Sequence, residues 1–273
     1  MTTSTDLVAA YLADCKRRNL ARTTLWARSH ILAKVDLEVG LFKATPAQLA
    51  EWLTGDLQAS SQAAYLAVIQ NFYKWCTDRG ELVTNPSAQV ARPKVPVKEP
   101  APISGDDLAK ALEAADVTMK AWLMLACAAG LRCCEIAMVA RQDVHLERPQ
   151  WLHVVHGKGS RERNVPLHPF VVDALLDLPA MSRMGRLFPT KNAQSISQHI
   201  NRHLHSLGIT SSAHKLRHYA ATEYWRALNE AGTPDVLTLM DFLGHSSPTV
   251  SMRYTKRDQA KGHVAMEHFA VGS

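Results

Sequence analysis

A proline-rich stretch near the middle of the chain limits most strongly what this sequence can fold into. Five of the 13 prolines lie in the 17 residues from Pro86 to Pro102. Proline fixes φ and lacks a backbone N–H, so this density prevents helix formation and favours an extended, semi-rigid connection. With 273 residues, the chain is long enough for two modest domains. We therefore predict a first domain over residues 1–84, a linker over 85–102 and a second domain over 103–273.

The segment before the linker predicts four helices and no strand. Its fourth helix is predicted from near Ser61 to just before Gly80, because its apolar residues recur at helical spacing. The predicted N-caps of the first three helices are Thr5, then Thr23 or Thr24, and Thr45 before Pro46. This segment therefore predicts a helical domain.

The segment after the linker predicts a mixed domain. Met119–Gly130 is apolar but too short to span a bilayer, which indicates a buried core helix. Residues 151–156 and 161–167 predict two strands joined by a Gly-Lys-Gly-Ser turn, a β-hairpin. Helices are predicted near 169–178, 195–206, 213–230, 234–243, 247–254 and 257–270. The predicted fold class is mainly α, with a small β-sheet or hairpin in the second domain.

The net charge and the cysteines of the chain indicate what kind of partner it binds and in which compartment it works. The net charge of +6 and the pI of about 9.1 suggest a polyanionic partner. The five cysteines form no CxxC pair, and the N-terminus lacks the apolar core of a signal peptide. We therefore predict a reduced, cytoplasmic protein.

The stretch AHKLRHYAAT, residues 213–222, concentrates cationic side chains at the start of a predicted helix. His214, Arg217 and His218 lie at i, i+3 and i+4, which places them on one helical face. Like charges on one face repel one another, so this face predicts contact with an anion or a carboxylate.

Five motifs in the second segment carry reactive or phosphate-seeking side chains. They are AGLRCCEIA (129–137), HGKGSRERNVPL (156–167), HKLRH (214–218), LGHSS (243–247) and SMRYTK (251–256). In their order and spacing they resemble the tyrosine recombinase, or phage integrase, family. The resemblance implies a helical core-binding domain followed by an α+β catalytic domain, and a site-specific recombinase that acts through a 3′-phosphotyrosine intermediate.

The chemistry of phosphoryl transfer gives three of these residues a function. Guanidinium groups match the charge and geometry of a phosphate in its transition state, so Arg132 and Arg217 are the candidate clamps. Tyr254 is the motif hydroxyl that can form a stable covalent ester with phosphate.

The resemblance implies the remaining functions in the catalytic set. His214 is expected to accept the tyrosine proton or to hold the phosphate, and Lys158 is expected to be the general acid. His245 is expected to hydrogen-bond the phosphate, and Glu135 to orient the cations. His218 is expected to support the site from inside the helix, with direct phosphate contact as the alternative.

Basic residues outside this set are candidate contacts to DNA phosphates. They are Arg161 and Arg163 on the hairpin, with Arg22 and Lys43 in the N-terminal helices. His199 and His203 have i, i+4 spacing, but Ile200 stands where a zinc protease would have glutamate, so no metal site is predicted. A phosphotyrosine bond stores the energy of the broken linkage, so no ATP or other cofactor is predicted.

The resemblance also implies an assembly of four protomers on two double-stranded DNA core-type sites. Val264, Met266 and Phe269 in the C-terminal tail are candidates for docking into a neighbouring protomer, although packing within the same chain is the alternative. The helical segment begins close to Met1, which suggests a compact, Xer-like layout without an arm-binding domain. We expect no membrane partner.

Several functions remain open at this point. We favour a phage or mobile-element integrase, and a Xer-type dimer resolvase is the nearest alternative. A type IB topoisomerase-like enzyme would use similar chemistry. A non-catalytic DNA-binding protein on the same scaffold is a further alternative from a different class.

Overall fold

A computed structural model defines the fold. It describes residues 3–55, 57–96, 101–155, 162–190, 192–245, 247–252 and 254–255, with only the backbone at 182. The chain divides into two compact units, Met1–Lys98 and Glu99–Ser273. The division falls inside the stretch predicted as a linker.

The helices of the first unit are α1 (Ser4–Arg17), α2 (Arg22–Glu38), α3 (Pro46–Thr54) and α4 (Ala59–Asp78). The predicted N-cap Thr45 is confirmed, and Gln48 completes its capping box. The other two predictions are wrong: α1 is capped by Thr3, and α2 follows Ala21 without a side-chain cap. For α1 the sequence holds a signal that we missed, because Asp6 stands three residues after Thr3 and completes its capping box, whereas Val8 stands three residues after Thr5.

The core of the first unit lies along one face of α4. Leu66, Ile69 and Phe72 are almost fully buried there, against residues of α1 and α2. Residues 85–90, the start of the predicted linker, pack on this unit, as the burial of Ser87 and Val90 shows. The extended part of the connection is therefore shorter than its proline content predicts.

The second unit combines helices with a small sheet. Its elements are α5 (Gly105–Glu113), α6 (Val117–Cys127), α7 (Cys133–Ile136), β1 (Val144–His145), β2 (Trp151–Val154), β3 (Arg163–Pro166), α8 (Pro169–Leu176), α9 (Ala193–Ser206), α10 (Ala213–Glu230), α11 (Val236–Leu243) and α12 (Pro248–Ser251). The strands are antiparallel in the order β1-β2-β3, with Leu152 paired to both Val144 and Val165. The predicted hairpin is confirmed and gains a third, two-residue strand. Its turn, residues 156–161, lies outside the described residues.

Helix α6 forms the centre of this unit. Every residue from Ala121 to Cys127 is buried, and the helix packs against α8, α9 and α10, which confirms the predicted core helix. Helix α10 buries Leu216, Ala220 and Ala221. Among the described residues, no helix is both long and apolar enough to cross a membrane. The packing of α10 fixes the position of the cationic residues at its N-terminal end.

Candidate active site

Three arginines converge on the C-terminal end of α11. Arg163 Nε donates to the carbonyl oxygen of residue 242 at 3.0 Å, and Arg132 Nη2 donates to that of residue 244 at 3.0 Å. Arg217 Nη2 donates to the carbonyl between them, that of Leu243. The last carbonyls of a helix lack intrahelical donors and carry the negative end of its dipole. The end of α11 therefore anchors three positive charges.

Glu135 neutralises part of this charge. Arg163 donates to both of its carboxylate oxygens, at 2.9 and 3.1 Å, and Arg132 Nη1 donates to Oε1 at 2.9 Å. The Arg132 backbone N–H donates to Oε2 at 2.8 Å, which closes a capping box around α7. Burial acts to raise the pKa of Glu135, but hydrogen bonds and charge from Arg163 and Arg132 outweigh it and lower the pKa to about 2. Glu135 is therefore ionised at neutral pH and holds the cations in place.

Arg217 is the least exposed of the three arginines. It is 5% exposed, its Nη1 donates to the carbonyl of Gly130, and it lies 3.8 Å from Glu135 Oε2. Burial and the charge of Arg132 lower the pKa of Arg217 to about 9, so it is still protonated at neutral pH. Gly130 has φ +65°, and a Cβ there would lie 3.0 Å from the Phe242 ring. The glycine thus brings its carbonyl close enough to receive the guanidinium.

His245 follows the glycine that ends α11. Its Nδ1 lies 2.8 Å from the hydroxyl of Ser251, which is fully buried in α12. Burial, followed by the charges of Arg217 and Arg132, lowers the pKa of His245 to about 4. The ring is therefore neutral near pH 7. In the tautomer in which Nδ1 accepts from the serine hydroxyl, the ring proton resides on Nε2, which can donate to an anion.

The two histidines of α10 bring the tyrosine into the same cluster. His218 Nδ1 shares a hydrogen bond with the hydroxyl of Tyr254, and the two ring centroids lie 5.6 Å apart. The rings of His214 and His218 meet edge-on with centroids 4.4 Å apart. Burial and the charges of Arg217 and Arg132 lower the pKa of His214. The site thus joins a phenol, three imidazoles and a cluster of guanidinium groups.

Comparison with known proteins identifies the scaffold that carries these groups. A model of the phage integrase family matches residues 104–261, more than half of the chain. The chain belongs to the phage integrase family. Its members are tyrosine site-specific DNA recombinases, and this chain is one.

The similarity to known recombinases extends over both units of the chain. Tyrosine recombinase XerC of Xanthomonas axonopodis pv. citri is 27% identical over 96% of this chain and 89% of its own length. XerC of Escherichia coli (strain K12 / DH10B) is 30% identical over 78% of this chain and 73% of its own length. A lambda integrase tetramer bound to a Holliday junction has a TM-score of 0.76 at 17% identity, over 94% of this chain and 77% of its own. The Tn1549 transposon integrase, in complex with transposon right end DNA, has a TM-score of 0.75 at 16% identity, over 97% and 99%. The predicted two-domain recombinase architecture is confirmed.

Most of the predicted site residues of this recombinase come together in the structure. The described members of the cluster are Arg132, Glu135, His214, Arg217, His218, His245 and Tyr254. Lys158 and Arg161 lie outside the described residues. Arg22 and Lys43 are exposed in the first unit, and their DNA contacts stay predictions.

Arg163 requires a correction. We predicted it as a contact to DNA phosphate, but its side chain is only 6% exposed and is hydrogen-bonded to Glu135 and to α11. The structure makes it an internal brace of the recombinase site. A signal for this exists in the sequence, because Arg163 shares the two-residue period of Val165, which faces the core from the same strand. Ser251, the partner of His245, was also missed, and no sequence pattern singles it out.

The two histidines at the i, i+4 spacing, His199 and His203, have local partners. His199 Nδ1 lies 2.7 Å from the carbonyl of Ser195, and His203 Nε2 lies 2.8 Å from that of Ala111. In the part of the chain that the structure describes, no group of three or more His, Cys, Asp or Glu side chains could hold a metal ion.

Gly244→Ala should destabilise this recombinase more than an ordinary glycine substitution. Gly244 has φ +61°, and an added Cβ would lie 2.6 Å from Arg163 Nη1. The left-handed backbone alone costs about 1–2 kcal/mol for alanine, and the contact should add about 1–3 kcal/mol. The matched control is Gly232→Ala, with φ +73° and no atom within 4 Å of the added Cβ. Equal losses of unfolding free energy in urea would show that Arg163 moves aside freely.

Proposed function

We propose that this recombinase cleaves one DNA strand by attack of Tyr254 on a phosphodiester. Attack forms a 3′-phosphotyrosine bond and releases a 5′-hydroxyl, and attack by the 5′-hydroxyl of another strand then rejoins the DNA. The observation that carries the proposal is the hydrogen bond between Tyr254 and His218. His218 is the residue after Arg217 in α10, so this bond holds the phenol beside the Arg217 guanidinium. Tyr254 and the Arg217 guanidinium interact electrostatically, as a nucleophile and its transition-state clamp should.

The cations have separate functions in this mechanism. Arg132 keeps about a third of its side chain exposed (33%), so it can donate to non-bridging oxygens directly. Arg217 adds positive charge from the buried part of the cluster. His245, neutral near pH 7, donates to the same phosphate. Lys158 is the proposed acid that protonates the leaving 5′-oxygen, and His214 takes the proton-accepting or phosphate-holding function that the family resemblance implies.

The energetic balance of the reaction agrees with this residue set. One phosphoester is exchanged for another at each step, so the energy of the broken linkage is retained. Glu135 has a pKa of about 2 and therefore stays a carboxylate at neutral pH, which suits an orienting group and not a general acid. No step of the proposal calls for ATP or a metal ion.

The experiment that tests this function uses nicked DNA carrying candidate core sites, from which the 5′-hydroxyl fragment diffuses away. We expect a covalent protein–DNA adduct through the 3′-phosphate. With two intact marked sites we expect strand-exchange products. Relaxation of supercoils without exchange would favour the topoisomerase alternative. Specific binding without any adduct would favour a non-catalytic DNA-binding protein.

We propose that the biological reaction is integration by a phage or mobile element. Resolution of chromosome or plasmid dimers is the second candidate, since the XerC relatives cover most of the chain. A plasmid assay separates the two. Joining of a circular donor to a second molecule would support integration, whereas exchange restricted to two sites on one dimeric plasmid would support resolution.

We propose that the active assembly is a tetramer on two double-stranded DNA core-type sites. The lambda integrase tetramer bound to a Holliday junction supports this by similarity of fold. In our proposal, residues 256–273, which contain Val264, Met266 and Phe269, dock into a neighbouring protomer.

Deletion of residues 256–273 tests the docking proposal. The truncated protein should bind a single core site within about threefold of the full chain, because the described site residues all precede the deletion. Recombination between two sites should fall at least tenfold, because protomers no longer link to one another. Gel shift and plasmid recombination measure the two effects. Unchanged recombination would show that the tail packs within its own chain.

A further inference from the structure

His218 is the group that the structure brings to the reacting atom of Tyr254. Its Nδ1 shares a hydrogen bond with the phenol oxygen, and the two rings are inclined at 46° with centroids 5.6 Å apart. We propose that His218, rather than His214, is the catalytic base that takes the proton from Tyr254 when the tyrosine attacks DNA. This inference rests on the proposed function and adds the identity of its general base.

The neighbouring histidine takes a different part in this arrangement. His214 lies one turn earlier on α10, and its ring packs edge-on against His218 at 69° with centroids 4.4 Å apart. This contact limits rotation of the His218 ring and keeps Nδ1 directed at Tyr254. Burial and the charges of Arg217 and Arg132 lower the pKa of His214, so it remains neutral near pH 7. His214 is thus a positioning residue that can also donate to phosphate.

The surrounding charges explain when His218 would accept a proton. Titratable groups near it include His214 and Arg217 on α10, His245 after α11 and Tyr254 after α12, and Arg132 beside α7 acts on the adjacent His214. The cations among them are Arg217 and Arg132, and cations disfavour a further positive charge. A bound phosphodiester brings a negative charge that offsets them. A phosphodiester bound beside His218 therefore makes protonation of its ring less unfavourable than in the free enzyme.

The step balances in protons and bonds. The proton moves from Tyr254 Oη to His218 Nδ1 while the Oη–P bond forms. The P–O5′ bond breaks, and the 5′-oxygen takes a proton from the general acid, proposed as Lys158. In the ligation step the incoming 5′-hydroxyl loses its proton to that group. The P–Oη bond then breaks, and the proton on His218 returns to Tyr254.

His218→Asn is the informative substitution. The amide of asparagine lies near the position of Nδ1 and preserves a hydrogen bond to Tyr254, but it cannot take the proton. With excess enzyme on nicked DNA, the rate of adduct formation should fall roughly 10²–10³-fold at pH 7. The remaining rate should rise about tenfold for each unit of pH, because hydroxide must then ionise the tyrosine. Wild type should instead approach a plateau. Added imidazole should partly restore His218→Ala.

Two controls separate this function from a structural one. His214→Asn removes the neighbouring imidazole and should keep the wild-type shape of the pH profile. DNA with sulfur in place of the leaving 5′-oxygen needs no general acid, so it should rescue Lys158→Ala but not His218→Asn. A His218→Asn rate within about threefold of wild type, or an unchanged pH profile with a uniformly lower rate, would overturn the assignment. If wild type itself formed no adduct, the proposed function would fail instead.

Discussion

Tyr254→Phe should abolish the covalent protein–DNA adduct while DNA binding changes by less than about twofold. The substitution removes one oxygen, the proposed nucleophile, and keeps the ring that packs on the core of the second unit. Loss of a nucleophile lowers the rate of group transfer by roughly 10⁴-fold or more, because the clamps cannot replace the missing bond. The measurement is adduct formation on nicked core-site DNA, resolved on a denaturing gel.

The matched control for this substitution is Tyr219→Phe. Tyr219 is a partly buried tyrosine of α10 that packs against the same core and lines an apolar cavity of about 660 Å³ outside the cluster. Its loss of one hydroxyl should leave adduct formation near the wild-type rate. An adduct that persists in Tyr254→Phe would overturn the assignment of the nucleophile. An adduct lost in both variants would point to a folding defect.

The sequence was most informative where a motif and a long periodic segment coincide. Helix α10 was predicted at residues 213–230, and the structure has Ala213–Glu230. The cationic face of that helix does meet a carboxylate, since Arg217 approaches Glu135 at 3.8 Å. The set of site residues could be predicted because five motifs resemble one family in order and spacing. Their arrangement could not, because it depends on contacts across more than a hundred residues, such as Arg132 with Gly244.

Short elements and long-range partners account for most of what was missed. Strand β1 has two residues and helix α7 has four, too few to show a period. Arg163 was predicted as a contact to DNA phosphate because it is a basic residue on the hairpin. Its buried position follows from the carboxylate of Glu135, which lies 28 positions earlier in the chain. The partner of His218 lies 36 positions later, so the helix alone left its function open.

Glu135→Ala should cause the largest loss of stability among substitutions at the site. Its carboxylate is 1% exposed and pairs with Arg163 and Arg132, and Arg217 lies within 3.8 Å. Removing one partner of a buried ion pair leaves uncompensated charge and costs about 3–5 kcal/mol. The pKa of Glu135, lowered from 4.5 to about 2, corresponds to about 3 kcal/mol, because one pKa unit is about 1.4 kcal/mol. Both figures are a large fraction of the roughly 5–15 kcal/mol by which a typical domain is stable.

Calorimetry of the full chain measures this effect, with Glu113→Ala on the exposed surface of α5 as the control.

A carboxyl whose folded-state pKa is lowered stabilises the protein above pH about 4.5, and this contribution is lost as the pH falls through about 2. At neutral pH, Glu135→Gln should therefore lack this contribution to the unfolding free energy. Its stability should not show the drop that wild type shows as the pH falls from about 4.5 to about 2. Combining Glu135→Ala with Arg163→Met should recover part of the stability, because the buried cation that donates to both oxygens of Glu135 leaves with the anion. Losses that simply add in the double variant would show that Arg163 finds other partners. The cluster would then depend on the carbonyls of α11 and not on the carboxylate.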